Sequence, residues 1–257
     1  MKRTLSSFII MALAFTSVAF GETKPFSQVI QEIKTSVVAV GTFNIQRNPR
    51  GVLYGSGVLI SPNGLIVTAN HVINMIGQNN EKDLLRVFLY QDDQDRGYAA
   101  RIITQSLQYD LALLQIEGKD FPYLEKGNSS QLKEGDQIAF CGYPYGLLLG
   151  LRPTTHRGMI SSISPNVLPV ISTKDLSPEI KRALATKYNI FHLDATVYPG
   201  QSGGPLFDPE TGKVLGIMSC GLFAEGNNGS KTKFIVPTGI SYAIPIEHVD
   251  QLIPQEK

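Results

Sequence analysis

Apolar residues recur along the chain in two rhythms. Residues 26–33 (FSQVIQEI) carry them at 26, 29, 30 and 33, a spacing that predicts a helix. Beyond it the runs are short and β-branched or aromatic. They predict strands at 37–40, 57–60, 64–68, 86–90, 111–116, 137–140, 158–163, 214–218 and 240–244. Gly, Pro, Asn and Asp punctuate these runs, and no long helix separates them. That arrangement favours an antiparallel sandwich or barrel over βαβ units. Two further segments are predicted helical, 177–188 and 246–253, and no repeat of fixed period is visible. Residues 118–133 are poor in apolar runs and read as a link between two halves.

The first twenty residues follow neither rhythm. Lys2 and Arg3 precede an apolar run from Phe8 to Phe20, with small residues at Ala19 and Gly21. This is the order of a secretory signal, predicted over 1–21. A membrane anchor is the competing reading, but the run is shorter than the ~20 residues a span needs. Export without an anchor predicts a soluble periplasmic or secreted protein over 22–257. With Lys2 and Arg3 removed, 21 basic side chains face 22 acidic ones, a net charge of −1. A phosphate-neutralising partner needs a basic excess, so no nucleic-acid or membrane partner is expected of the mature chain.

Three polar residues stand where hydrolytic chemistry would want them. His71 follows a strand in Thr68-Ala69-Asn70-His71, and Asp110 leads into the apolar run at 111–116. Ser202 lies in Gly200-Gln201-Ser202-Gly203-Gly204-Pro205. Each alone has a plain reading: a surface histidine, a turn-capping aspartate, a glycine-rich turn. Together they supply what acyl transfer requires. A serine hydroxyl is a weak nucleophile until a base takes its proton. Neutral imidazole is the matching base, and a carboxylate stabilises the cation it becomes. The attacked carbonyl then needs N–H donors, which a sharp turn at glycine can aim from Gly200 and Ser202. Other acids, Asp83, Asp92, Asp93 and Asp95, lie in a polar, loop-like stretch and are discounted.

The motifs and their order resemble trypsin/chymotrypsin-fold serine proteases, specifically the HtrA (Deg) type. The resemblance runs over residues 33–246. It rests on Gly55-Ser56-Gly57-Val58, on 64–72 (GLIVTANHV), on Asp110-Leu111-Ala112-Leu113-Leu114, and on 141–146 (CGYPYG). It continues through 158–161 (GMIS), Asp194-Ala195, the Ser202 turn, 212–217 (GKVLGI) and 239–245 (GISYAIP). The gaps fit as well, 39 residues from His71 to Asp110 and 92 from Asp110 to Ser202. The order His, Asp, Ser differs from that of subtilisins and α/β-hydrolases.

The resemblance implies an all-β fold of two six-stranded antiparallel β-barrels, at about 33–118 and 131–246. It implies a cleft between them with His71 and Asp110 from the first and Ser202 from the second. It implies an endopeptidase acting on protein or peptide substrates without a cofactor or metal, and Gly200 and Ser202 as oxyanion donors. Ser219, within 216–221 (GIMSCG), resembles the strand that in the family supports the buried aspartate and pairs with the substrate backbone. Ser219, Cys220 and Gly221 would wall the primary pocket, with Thr196 near its floor. No acid lies at Thr196, where trypsin-like members pair with Arg or Lys, so small or medium apolar side chains are the expected substrates. HtrA proteins carry a PDZ domain after the protease; this chain stops 13 residues after Ile244, and no PDZ domain is expected in it. The segment from Ile163 to Asp194 corresponds to a region that orders the oxyanion hole in the family. Two other functions share the same residues, a non-catalytic binding or chaperone-like module and an esterase. Cys141 and Cys220 are left open as thiols or a disulfide.

Overall fold

The computed structural model describes residues 24–77, 82–91, 94–146, 150–166, 187–227 and 233–254. The sequence places the signal over 1–21 and most of the helix over 177–188 outside them. Among the described residues the first element is a helix α1 (Phe26–Ser36), which buries Val29 and Ile33 one turn apart. Six strands follow: β1 (Val37–Phe43), β2 (Gly51–Leu59), β3 (Leu65–Ala69), β4 (Leu84–Gln91), β5 (Gln94–Ser106) and β6 (Leu111–Ile116). They close into a barrel in the order β1-β2-β3-β6-β5-β4. A second barrel comprises β7 (Gln137–Gly142), β8 (Thr154–Pro165), β9 (Asn189–Asp194), β10 (Pro205–Phe207), β11 (Val214–Asn227) and β12 (Lys233–Pro245). Its order, β10-β11-β12-β9-β8-β7, is that of the first barrel with each strand advanced by six. The internal repeat is therefore one of topology, without a periodic sequence. All strand pairs within the two barrels are antiparallel.

The uninterrupted apolar runs have a simple cause. Side chains alternate across a strand, so one face normally meets water. Here both faces of the inner strands are covered. Val38 and Val40 of β1, Ile66 of β3 and Leu114 of β6 fill the first barrel. Val37, Ala39, Val67, Leu111 and Leu113 point the other way, against Ala139, Cys141, Tyr143, Phe207 and Ile217 of the second. Ile138, Phe140, Leu206 and Met218 fill the second barrel. Each fully buried Val, Leu, Ile or Phe contributes about 1.5–3 kcal/mol relative to exposure. The seam between the barrels is thus a core in its own right, and the catalytic candidates lie along it.

Three strands were not predicted, β5, β9 and β10, and two helical segments take a form that the sequence reading did not specify. Asp95 lies in a strand rather than a loop: β5 begins at Gln94, and Asp95 pairs with Tyr90 of β4, while Asp92 and Asp93 lie outside the described residues. The exposed residues of β5, Gly97, Ala99 and Arg101, need no apolar pattern. His71 follows β3 in the first turn of a helix, α2 (Asn70–Gly77). The segment predicted helical over 246–253 is a 3-10 helix, Ile246–Gln251. Buried Ile246, Val249 and Leu252 recur every third residue, which matches three residues per turn.

Candidate active site

β3 and β6 are neighbours in the first barrel, and their register decides where the site begins. Ala69 lies opposite Leu111, so the residues that follow the one and precede the other meet at the same barrel end. The backbone N–H of Asn70 donates to the Asp110 carbonyl (3.0 Å), and that of His71 to Asp110 Oδ1 (2.9 Å). These are the first amides of α2, which have no partner within the helix. Asp110 therefore caps α2 from across the sheet, in the left-handed region with φ 50°, which aspartate tolerates better than most residues. The same carboxylate reaches the imidazole: Asp110 Oδ2 lies 2.7 Å from His71 Nδ1.

A third donor comes from the second barrel. Ser219 Oγ donates to Asp110 Oδ2 at 2.5 Å. β11 pairs with β12 as Met218↔Ala243 and then Cys220↔Tyr242, so Ser219 is the extra residue of a bulge. A bulge re-aims its side chain, here across the seam. Ser219 is fully buried.

The Ser202 turn packs against this corner. The N–H of Ser56 in β2 donates to the Ser202 carbonyl at 2.7 Å. Gly203 has φ 87°, and a Cβ there would lie 2.1 Å from Ser56 O and 2.3 Å from Thr68 Oγ1, so only glycine fits. A Cβ at Gly55 would touch both the Ser202 carbonyl, at 2.9 Å, and Val72 Cγ2, at 2.5 Å. Ser202 and His71 are therefore brought to one corner from opposite barrels. The Ser202 hydroxyl makes no hydrogen bond to the described residues, and the His71–Asp110–Ser219 group stands bonded without it.

The turn's own peptides are held one by one. The carbonyl of Pro199 accepts from Tyr145 N (2.7 Å), and that of Gly200 from Ser56 Oγ (2.7 Å). The carbonyl of Gln201 accepts from Gly204 N (3.1 Å), and that of Ser202 from Ser56 N. On the donor side Tyr198 N reaches Gln201 Oε1, Gln201 N reaches Tyr198 O, and Gly203 N reaches Met218 O. Among the N–H groups from Tyr198 to Gly204, those of Gly200 and Ser202 make no hydrogen bond to the described residues. A trans peptide points its N–H opposite its C=O. Tying Pro199 O to Tyr145 therefore turns the Gly200 N–H away from that segment.

Residues 55–217 match the family model of the trypsin-like peptidase domain, which is most of the chain and spans His71, Asp110 and Ser202. The chain belongs to that family. A probable periplasmic serine endoprotease, DegP-like, of Chlamydia pneumoniae is 32% identical to this trypsin-like domain over 201 residues, 78% of this chain and 34% of the relative. A relative of the same name from Pseudomonas fluorescens is 33% identical over 213 residues, 78% of this chain and 36% of the relative. The trypsin-like domain thus spans about a third of the length of these relatives. Among solved structures, the HtrA-type protease AlgW with tripeptide shares the fold with a TM-score of 0.61 at 24% identity, over 89% of this chain and 62% of that one.

Other residues singled out in the sequence go elsewhere. Asp83 is engaged by other partners: its carboxylate accepts from Arg47 Nη1 (2.5 Å) and Asn44 Nδ2 (2.8 Å) in a structural ion pair. Cys141 is a buried free thiol whose burial pushes its pKa up to about 11, which keeps it protonated and inert. Thr196 is exposed and Val197 buried. Cys220 and Gly221 lie on β11 opposite Tyr242 and Ser241. Sequence reasoning did not single out Ser56, Tyr145 or Gln201 as individuals, because each acts through contacts with distant segments.

Behind Asp110 lies an aromatic group. His248 of the 3-10 helix stacks on Tyr109 at 4.4 Å between ring centroids, with Tyr188 edge-on at 4.9 Å. Burial holds the His248 imidazole below the usual histidine range, against a weaker opposing pull from Glu247. Burial, with a smaller push from Asp110, raises the Tyr188 phenol. A histidine depressed on folding binds its proton more readily when unfolded. Its contribution is therefore intact above the unfolded value of 6.5 and is lost as the pH falls below it. His156, stacked on Phe140 and also lowered by burial, acts in the same sense. Thermal melts should show the midpoint falling by about 2–5 °C between neutral and mildly acidic pH, with His248→Phe removing part of the slope. Parallel curves for the two proteins would refute the assignment to His248.

Proposed function

We propose that this chain is a serine endopeptidase that works outside the cytoplasm, with Ser202 as nucleophile, His71 as base and Asp110 as its orienting carboxylate. The observation that carries the reading is the Ser202 turn itself. Four consecutive carbonyls, of residues 199–202, are all held, while the two N–H groups a tetrahedral oxyanion would need, those of Gly200 and Ser202, make no hydrogen bond to the described residues. Such preorganised donors act where charge develops, and each is typically worth about 3–4 kcal/mol of barrier.

The steps follow from these positions. Ser202 Oγ attacks the substrate carbonyl carbon as His71 Nε2 takes its proton. The C=O electron pair moves onto oxygen, which the Gly200 and Ser202 N–H groups receive. The pair then returns, the C–N bond breaks, and His71 gives its proton to the leaving amine. Water repeats the sequence on the acyl-enzyme and restores Ser202. Asp110 holds the Nδ1–H tautomer throughout, so that Nε2 carries the lone pair. The Ser202–His71 hydrogen bond, which the free site does not make, forms when substrate fills the cleft, as catalytic bonds commonly do. Thr196, Ser219, Cys220 and Gly221 supply the primary pocket in this reading, with small or medium apolar side chains preferred. An apolar segment behind Lys2 and Arg3, together with relatives named periplasmic, supports export.

The test uses the purified chain with a fluorophosphonate probe and with casein. The probe is expected to form one adduct, mapped by mass spectrometry to the peptide holding Ser202. Casein fragments are expected to end in Ala, Val, Thr or similar residues. Absence of any adduct would leave a binding module. An adduct without casein cleavage, with turnover of small esters, would leave an esterase. Fragments ending mainly in Arg or Lys would remove the pocket assignment alone.

A further inference from the structure

Behind the Ser202 turn, one side chain of the first barrel ties together two segments of the second. Ser56 is fully buried in β2, between Gly55 and Gly57. Its hydroxyl donates to the Gly200 carbonyl (2.7 Å) and accepts from the Tyr143 N–H (2.9 Å). Its own N–H donates to the Ser202 carbonyl (2.7 Å), and its carbonyl accepts from Thr68 Oγ1 (2.6 Å). Every polar group of this residue is engaged. The hydroxyl's two bonds fall on either side of one N–H. Directly, it fixes the carbonyl of Gly200. Through Tyr143 it fixes the segment whose Tyr145 N–H holds the carbonyl of Pro199. Between those two carbonyls lies the Gly200 N–H. Gly200, at φ 96°, has the backbone freedom of glycine and so needs such ties to hold one direction.

We propose that Ser56 is a positioning residue, whose hydroxyl sets the direction of the Gly200 N–H as an oxyanion donor. The proposal rests on the hydrolase reading above and adds a group that never touches substrate. The site has no room for a substitute. A Cβ at Gly142 would lie 2.8 Å from Ser56 Oγ, so a larger side chain at 56 would meet the second barrel. Alanine keeps the packing and removes only the two hydroxyl bonds.

Ser56→Ala is expected to lower kcat about 10- to 100-fold, the scale of a misaimed oxyanion donor, with KM within about threefold of the parent. The inhibition constant of a peptide aldehyde, which forms a tetrahedral adduct on the serine, should rise by the same factor as kcat/KM falls. A merely structural role would lower the melting temperature and leave kcat unchanged. Active parent and Ser56→Ala enzymes with equal kcat would overturn this inference and leave the hydrolase reading standing. Should the parent itself show no turnover, the hydrolase reading falls, and backbone hydrogen exchange of residues 198–204 decides the tie. Faster exchange there in Ser56→Ala, with 111–116 unchanged, supports the clamp. Equal exchange refutes it.

Discussion

Ser202→Ala is expected to lower kcat about a millionfold, His71→Ala to lower it nearly as much, and the double variant to be no slower than either. The reason lies in the division of labour. The hydroxyl is useless as a nucleophile unless its proton has somewhere to go, and the imidazole has no proton to take once the hydroxyl is absent. Removing one member therefore removes the function of both, and their energies cannot add. What survives is the oxyanion turn. Its four held carbonyls do not depend on either side chain, because the ties come from Tyr145, Ser56 and Gly204. Residual turnover by water attack about a thousandfold above the uncatalysed rate is the corresponding expectation. Steady-state kinetics on a casein-derived peptide, with the fold checked by thermal melts, measures all of this. Additive losses would mean the two residues act independently, and a Ser202→Ala variant with parental activity would place the nucleophile elsewhere.

The parts legible in the sequence were those written locally. The strand at 37–40 was visible because both its faces are covered, one by its own barrel and one by the other. β5 was not, since its exposed face carries Gly97, Ala99 and Arg101, and a polar surface strand resembles a loop in composition. The helical character of 246–253 was visible but not its kind, which the threefold spacing of Ile246, Val249 and Leu252 decides. At the site, His71 and Asp110 announced themselves through the strands that carry them, and the turn at Gly200 through its glycines. The clamp did not. Ser56 and Gly200 are 144 residues apart, and a small polar residue between two glycines signals only a tight place. Contacts that exist only after two barrels have closed leave no period to read.

Asp110→Asn is the sharper probe of the same machinery, because it changes almost no volume and should cost about 10⁴-fold in kcat through the tautomer alone. The carboxylate now accepts three hydrogen bonds: from the His71 backbone at Oδ1, and from His71 Nδ1 and Ser219 Oγ at Oδ2. All three partners are donors, and an amide offers only one acceptor oxygen in their place. If its oxygen faces the imidazole, its NH₂ confronts the His71 backbone N–H, donor against donor. If its oxygen faces the backbone, its NH₂ meets Nδ1, which must then give up its hydrogen and accept. The second arrangement is the satisfiable one, and the Ser219 hydroxyl can rotate to accept from the same NH₂. It leaves the hydrogen on Nε2, where the Ser202 proton has to go. The base is present, correctly placed and unable to act. Ser219→Ala, by contrast, removes one of three donors and leaves the tautomer intact, so its loss should stay within about tenfold. The two variants compared in kcat, with fluorophosphonate labelling rates as a check, separate tautomer control from simple support of the carboxylate. A larger loss for Ser219→Ala than for Asp110→Asn would reverse that assignment and make the bulge on β11, rather than the aspartate, the element on which the imidazole depends.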